Sequence, residues 1–207
     1  MMNDAAQGED VMQACVTAME RVGFEKKSRA ATFLTPLGAE VFGWASHMVN
    51  HGQDGAVEIT PKVGVRHEEL HKLVDRLSGS PRNGGVATIS VVLGYLMPQN
   101  SANVVWRFDR DTPTESQAND LAAAVIEFGR PYMLAHLSLE AIIDTLRSDT
   151  WYGPKRIPAA LVLLGRDDEA REYLASELAK RDERTDPRDV EAAEYRLFAE
   201  RLSAELG

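Results

Sequence analysis

The stretch of sequence that decides the fold is "AVEITPKVGVRHEELHKLVDRL", residues 56–77. Its first half is rich in β-branched residues and contains Pro61, which predicts two strand pieces separated at the proline. Its second half places apolar residues at three- and four-residue intervals, which predicts an amphipathic helix. A strand that leads directly into a helix indicates a protein of mixed secondary structure.

The segments before this stretch predict one helix and then strands. Apolar residues at helical spacing run from Val11 to Val22, and Gly23 follows as a stop signal. A strand is predicted around residues 32–37, and β-forming residues continue in "EVFGWASHMVN" up to the turn "HGQDG". The N-terminal part is therefore expected to place one helix beside a sheet.

The segment after the stretch contains the strongest predicted strand, "ATISVVLGYLM", residues 87–97. A second strand is predicted in "NVVWRF", residues 103–108, and we expect it to pair with the first across the loop "PQNSAN".

From Thr114 onward the pattern becomes helical, with Pro, Gly or charged turns between the segments. Helices are predicted over residues 114–129, 132–148, 156–165, 167–183 and 189–206. The predicted fold class is α+β: an antiparallel sheet with a flanking N-terminal helix and one inserted helix, followed by a helical C-terminal part. The predicted domains are a sheet domain, 1–112, and a helical region, 113–207, which either stands alone or packs with the first.

Composition excludes several classes of function. The 32 acidic and 23 basic residues give a formal net charge of −9, which disfavours nucleic acid as a partner. The single cysteine, Cys15, cannot form an internal disulfide, which is typical of a reducing compartment. Neither a secretory leader nor an apolar run of about 20 residues is present, so we expect a cytoplasmic protein without a membrane span.

The helix of the opening stretch contains the motif His-Glu-x-x-His. His67 and His71 project from one side of a helix, where they could share a zinc ion while Glu68 acts as general base on the bound water. In this motif the chain resembles the zincin metallopeptidases. It departs from them because the charged residues Glu69 and Lys72 occupy positions that are uncharged there.

An ordinary surface helix explains the same residues without a metal. Glu68 and Glu69 would stabilise the positive end of the helix, and the two histidines would lie at the margin of its apolar stripe. A third zinc ligand would have to come from a later acidic residue, and no spacing rule selects among them. These residues are Glu115, Asp120, Glu127, Glu140 and Asp144.

The aromatic residues and the other histidines are expected mostly in the core. His47 and His51 are also four residues apart, but they run from a strand into a turn and need not converge. Trp44 and Trp106 could flank a groove that takes a small ligand between the sheet and the helices. Core packing is the default interpretation for these two and for Tyr95, Phe108, Tyr132 and Trp151.

Four segments together resemble a bacterial family of cytoplasmic α+β proteins without a characterised activity. They are "ERVGFEKKSRAATFL" with its Gly-Phe-x-Lys-Lys turn, "GVRHEELHKLV", "TISVVLGYLMP" and "VVWRF". The resemblance covers about residues 11–135 and implies the fold class alone. Similar small α+β proteins serve as immunity or interaction modules, which motivates a binding hypothesis.

The hypothesis we draw from the sequence is a non-catalytic, immunity-like protein-interaction module that binds another protein and needs no cofactor. One alternative is a zinc-dependent hydrolase with His67 and His71 as ligands and Glu68 as base. The other alternative is a small-ligand-binding domain with Trp44 and Trp106 at its groove. The sequence does not predict an oligomeric state.

Overall fold

A computed structural model of the chain describes residues 4–27, 31–52, 54–79, 85–109, 111–149, 151–182 and 190–207. It confirms the predicted α+β class, with an N-terminal helix first, an antiparallel six-stranded sheet, and a helical C-terminal part. The strands are β1 Glu25–Lys26, β2 Thr32–Pro36, β3 Val41–His51, β4 Val57–His67, β5 Ile89–Val92 and β6 Trp106–Phe108. The helices are α1 Asp4–Arg21, α2 Glu68–Ser78, α3 Thr114–Ala124, α4 Arg130–Ala135, α5 Leu139–Leu146, α6 Gly153–Leu163, α7 Asp167–Asp182 and α8 Val190–Leu206.

The chain forms two compact units. The sheet unit comprises residues 1–66 and 84–137, and the helical unit comprises residues 67–83 and 138–207. The predicted domains, 1–112 and 113–207, stay a prediction, because compact packing does not establish which part of a chain folds alone. No helix in the described ranges is both long and apolar enough to cross a membrane.

The sheet is ordered β1-β2-β3-β4-β5, and β6 also pairs with β4. The prediction of two strand pieces separated at Pro61 is wrong, because β4 runs unbroken through the proline. On one edge of β4, residues 57–59 pair with β6 and residues 62–65 pair with β5. Pro61 lies in the gap between these two partners, where its missing N–H costs no hydrogen bond on that edge.

The predicted pairing of residues 87–97 with residues 103–108 is also wrong. β5 ends at Val92, a 3₁₀ turn spans Leu93–Tyr95, and β6 pairs with β4. The backbone turns sharply at Gly94, where the Ser101 N–H donates to the Gly94 carbonyl at 3.0 Å. A Cβ at Gly94 would lie 2.1 Å from the Ser101 oxygen, so a side chain does not fit at this turn.

One face of the sheet is covered by the helical segment that follows α3. A π-helical turn, Val125–Gly129, joins α3 to α4. A Cβ at Gly129 would lie 2.9 Å from Cγ1 of Val63 in β4, and a Cβ at Gly43 in β3 would lie 2.9 Å from Sδ of Met133 in α4. The side of β3 and β4 that carries Gly43 and Val63 is therefore the side that faces these helices.

The helical unit consists of α2 and α5 to α8. The predicted helix over residues 132–148 is two helices, because α4 ends at His136 and the Ser138 hydroxyl caps the start of α5 by accepting from the Ala141 N–H. A turn at Gly165, with φ of +68°, joins α6 to α7. The buried side chains of α6 to α8 form the centre of this unit; the largest are Ile157, Leu161, Leu174, Tyr195, Phe198 and Leu202.

Candidate functional site

His67 lies at the N-cap of α2. Its backbone is extended, with φ of −100° and ψ of 107°, and its Nδ1 accepts a hydrogen bond from the Leu70 N–H at 3.4 Å. An N-cap acceptor satisfies one of the N–H groups that a helix leaves open at its start. Glu68 and Glu69 follow in the first turn, where they favour the positive end of the helix as expected. The structure thus gives His67 a capping role.

His71 lies one turn further along α2 and is buried with Leu70, Leu73 and Leu77. Glu68 is half-buried. The sequence predicted a marginal position for His71, but the helix packs this side chain inward. No group of three His, Cys, Asp or Glu side chains within the described residues is arranged to hold a metal. The zinc hydrolase stays a prediction.

The end of α2 is held by α8. Gly79 is left-handed, with φ of +65°, and its N–H contacts the carbonyls of the last turn. Arg201 of α8 donates from Nη1 to the Leu77 carbonyl at 2.8 Å, and Arg76 forms a bidentate ion pair with Glu205. Packing and end contacts within the helical unit therefore account for the features of α2.

Two other candidate reactive groups are buried in the sheet unit. His47 exposes 6% of its surface, contacts the ring of Phe33 at 4.9 Å between centroids, and has no hydrogen-bond partner for either ring nitrogen among the described residues. Burial lowers the pKa of His47 to about 4 and raises the pKa of the Cys15 thiol to about 12. Both groups are neutral at pH 7, which is typical of core residues.

The two tryptophans proposed to flank a groove lie on different strands. Trp44 pairs with Leu34 across β2 and β3 and is buried, and its Nε1–H donates to the Gly85 carbonyl at 3.0 Å. Trp106 pairs with Ile59 across β6 and β4 and is half-buried.

The register places these two indoles on opposite faces of the sheet. Paired residues share a face and successive residues alternate. Ile59 and Trp106 therefore lie on the side of Val63, which faces the helices, whereas Trp44 lies opposite its neighbour Gly43. The structure does not bring the two side chains together, and the small-ligand domain stays a prediction.

Trp151 is the most exposed of the large hydrophobic side chains in the described residues, with 75% of its surface open. It lies in a short turn before α6. The Asp149 carboxylate accepts from the N–H of Trp151 at 2.8 Å and from the N–H of Tyr152 at 2.9 Å. Asp149 and Trp151–Pro154 are called the Trp151 turn below. These two hydrogen bonds fix the backbone that carries the exposed indole.

The Trp151 turn has two further supports within the helical unit. The guanidinium of buried Arg156 stacks on the half-open ring of Tyr152, 4.3 Å from its centroid. The Tyr195 hydroxyl of α8 donates to the Pro154 carbonyl at 3.3 Å. A Cβ at Gly153 would lie 2.7 Å from the Leu146 oxygen, so the turn also packs tightly against the end of α5.

A buried ion pair lies behind Tyr195. Arg181 of α7 donates from Nη1 to Glu177 at 2.6 Å and stacks on the Tyr195 ring, 4.1 Å from its centroid. Burial opposes ionisation of Glu177, but hydrogen bonds from Lys180 and Arg181 outweigh it and hold the pKa of Glu177 below its ordinary value. Burial and the Glu177 charge raise the pKa of neighbouring Tyr173 to about 12. This arrangement stabilises the α7–α8 pair.

The sequence analysis placed Trp151 in the core, and the structure places it at the surface. A local signal for this position exists: Asp149 stands two residues before the tryptophan, and Gly153-Pro154 follows it. An Asp before a Gly-Pro pair is typical of a turn that starts a helix, and such connecting turns usually run over the protein surface.

Comparison of the chain with models of protein families, with curated proteins and with solved structures found no match.

Proposed function

We propose that the chain is a non-catalytic, immunity-like protein-interaction module of the cytoplasm that binds a partner protein through the Trp151 turn. The observation that supports this most is the presentation of Trp151, which is 75% exposed on a backbone fixed by the Asp149 carboxylate.

An exposed, fixed indole suits a binding surface for two physical reasons. Tryptophan, tyrosine and arginine are the residues that contribute most to binding energy at protein interfaces. Trp151 and Tyr152 are both exposed at this turn, and the buried guanidinium of Arg156 supports the Tyr152 ring from beneath. Because the Asp149 carboxylate accepts from the N–H groups of Trp151 and Tyr152, binding through these residues should lose less conformational entropy than binding through a loop without such contacts.

The net charge of −9 supports a basic partner protein. Complementary charge speeds the encounter of two proteins more than it tightens their complex. The same excess of negative charge disfavours nucleic acid. The proposal therefore predicts an association rate that falls as salt is added.

A capture experiment with the full-length chain tests the proposal. Native extract is passed over immobilised wild type and over Trp151→Ala, and bound proteins are quantified. Trp151 is largely exposed, so its truncation should leave folding intact. We expect one stoichiometric partner on the wild type, with the complex weakened at least about tenfold, a cost near 1.4 kcal/mol, by Trp151→Ala. The affinity is then measured with the purified partner.

Tyr95→Ala is the matched control, since Tyr95 is a half-exposed aromatic residue of the sheet unit. The control should bind as the wild type does. Equal losses from both substitutions, or a partner whose affinity ignores Trp151→Ala, would remove the Trp151 turn from the proposal. Recovery of no stoichiometric partner would count against an interaction module altogether.

A further inference from the structure

Two aromatic rings of the helical unit each lie against a guanidinium of the same chain. Arg156 lies 4.3 Å from the ring centroid of Tyr152, and Arg181 lies 4.1 Å from that of Tyr195. The indole of Trp151 has no such cation and no ring contact in the part of the chain that the structure describes. Because an indole attracts a cation more strongly than a phenol ring does, the ring best suited to a cation is the one left open.

The other two cations near Trp151 in the sequence also contact groups of their own unit. Nε of Arg147 lies 3.7 Å from the Asp144 carboxylate. Nζ of Lys155 lies 6.0 Å from the ring centroid of Phe198. A cation for the exposed indole would therefore come from another molecule.

A carboxylate adjoins this open indole. Oδ1 of Asp149 accepts both hydrogen bonds of the turn, from the N–H of Trp151 at 2.8 Å and from the N–H of Tyr152 at 2.9 Å. Within the described ranges, no group donates a hydrogen bond to the second oxygen, Oδ2. The half-buried Asp149 side chain can thus hold the turn with one oxygen and accept from a ligand with the other.

We propose that the Trp151 turn binds an arginine side chain of the partner protein, which stacks its guanidinium on the indole and donates to Oδ2 of Asp149. The inference rests on the proposed function, since it assigns the chemistry that the partner presents to the same turn. The net charge of −9 favours a partner with basic side chains.

The pairing of a ring with a carboxylate selects arginine over lysine. A guanidinium is planar, so its face can lie on an indole while the N–H groups at its edge donate to a carboxylate. A lysine ammonium has no flat face and is more strongly hydrated, so it loses more on leaving water for a ring. Arg156 already makes the stacking contact on the neighbouring Tyr152 ring.

The experiment is a titration of the ¹⁵N-labelled full-length chain with a short peptide of alternating arginine and glycine, followed through the indole N–H signals. We expect the Trp151 signal to shift saturably, while the signals of buried Trp44 and half-buried Trp106 stay in place. The same peptide with lysine carries equal charge and should bind at least about fivefold more weakly. Equal affinity for the two peptides, or no saturable shift of Trp151, would overturn the proposal.

A third peptide and two substitutions of Trp151 test the stacking contact. Citrulline has nearly the shape of arginine without its charge, and its peptide should give no saturable shift. With the arginine peptide and the Tyr152 amide as the signal, Trp151→Leu should abolish the saturable shift, whereas Trp151→Phe should keep part of it. Binding that is equal in the Leu and Phe variants would contradict stacking on an aromatic face.

Asp149→Asn tests the carboxylate without removing the turn. Asparagine keeps an oxygen that can accept from the N–H groups of Trp151 and Tyr152, but it loses the negative charge. Affinity for the arginine peptide should fall about fivefold. Glu172→Gln removes one charge from an exposed position of α7 and is the matched control, which should bind as the wild type does. Equal losses from the two substitutions would overturn the role of Asp149.

These results can be separated from those of the capture experiment. A captured partner that requires Trp151, together with no preference for the arginine peptide, would overturn this inference and leave the proposed function in place. A selective shift with the arginine peptide, together with no captured partner, would support the arginine site and count against the proposed function.

Discussion

Two buried titratable sites, one in each unit of this chain, keep different charge states. In the sheet unit, His47 is buried against Phe33 as a neutral ring, and burial lowers its pKa to about 4. In the helical unit, Glu177 and Arg181 are buried as charged groups that form a 2.6 Å ion pair. The His47 ring loses its charge in an apolar layer, whereas helix neighbours at a four-residue interval can keep theirs by pairing.

Two kinds of backbone constraint can also be compared, one taken from each unit. In the sheet unit, β4 and β5 approach so closely at Gly64 that a Cβ there would lie 2.0 Å from the Ile89 carbonyl oxygen. In the helical unit, side chains satisfy the open groups at helix ends, as His67 does for α2 and Ser138 for α5. Excluded space therefore limits the backbone at Gly64, and polar side-chain contacts fix the starts of α2 and α5. The predictions below test this contrast.

Gly64→Ala should have the largest effect. The added methyl group would overlap the backbone of β5, which cannot move aside as a flexible side chain could. We expect a loss of at least about 3 kcal/mol in the free energy of unfolding, the upper end for overpacked interiors. Urea denaturation followed by circular dichroism measures it.

Gly38→Ala is the control for that substitution. A Cβ at Gly38 would lie 3.9 Å from Cβ of Val41, an ordinary contact. This variant should stay within about 0.5 kcal/mol of the wild type. If Gly64→Ala reduced the free energy of unfolding as little as Gly38→Ala does, the close approach of β4 and β5 would not require a glycine at position 64.

His47 should make the chain less stable in acid. The unfolded chain binds a proton at this residue below pH 6.5, but the folded chain does so only below about pH 4. Stability from this group is therefore lost as the pH falls from 6.5 to 4, and the difference between the two pKa values corresponds to about 3 kcal/mol. Denaturation curves at several pH values measure the slope.

His47→Leu should flatten that slope between pH 6.5 and 4, because an apolar side chain of similar size takes no proton. His51→Leu, at an exposed position of the same strand, is the matched control and should keep the wild-type slope. A slope unchanged by His47→Leu would mean that the buried ring is not what couples acid to unfolding.

Glu177→Gln should cost about 2 kcal/mol, since it leaves the buried Arg181 charge without its carboxylate. The loss should stay below that of a fully buried pair, because both side chains keep 10% exposure and the guanidinium keeps its contact with the Tyr195 ring. Glu172→Gln, at an exposed position of α7, should change little. The cost should shrink as the pH falls below 4.5, because the unfolded chain takes up a proton at Glu177 there while the lowered pKa keeps the folded carboxylate ionised; it is lost once the pH also falls below that lowered pKa.

Much of the fold could be predicted from local patterns in the sequence. Strand propensity and helical spacing placed β2, β3, α2 and the C-terminal helices, because each of these elements carries its own periodicity. The partner of β6 could not be predicted. Both β5 and β6 pair with β4. This pairing depends on the turn at Gly94 and on the position of Pro61 between the two partner strands. Both are properties of the assembled sheet, and a local sequence pattern does not contain them.

The candidate site was less predictable than the fold, for a related reason. The His-Glu-x-x-His motif specifies the spacing of two side chains, but it does not specify whether a third ligand lies beside them. The exposure of Trp151 follows from a turn fixed by Asp149, and a scan for apolar periodicity does not detect a turn. The first case depends on residues distant in sequence, whereas the second depends on a short-range polar contact that local turn chemistry can predict.

The smallest effect should come from the cap of α2, and it also separates the two interpretations of the opening motif. His67→Ala removes the acceptor of the Leu70 N–H and should cost about 1 kcal/mol. His67→Asn keeps a capping oxygen and should restore most of that loss. If His67 instead held zinc, the two substitutions would act alike, and a chelator would lower the melting temperature of the wild type. A cap therefore predicts rescue by asparagine and indifference to chelator, because a helix end requires an acceptor and a metal requires the imidazole itself.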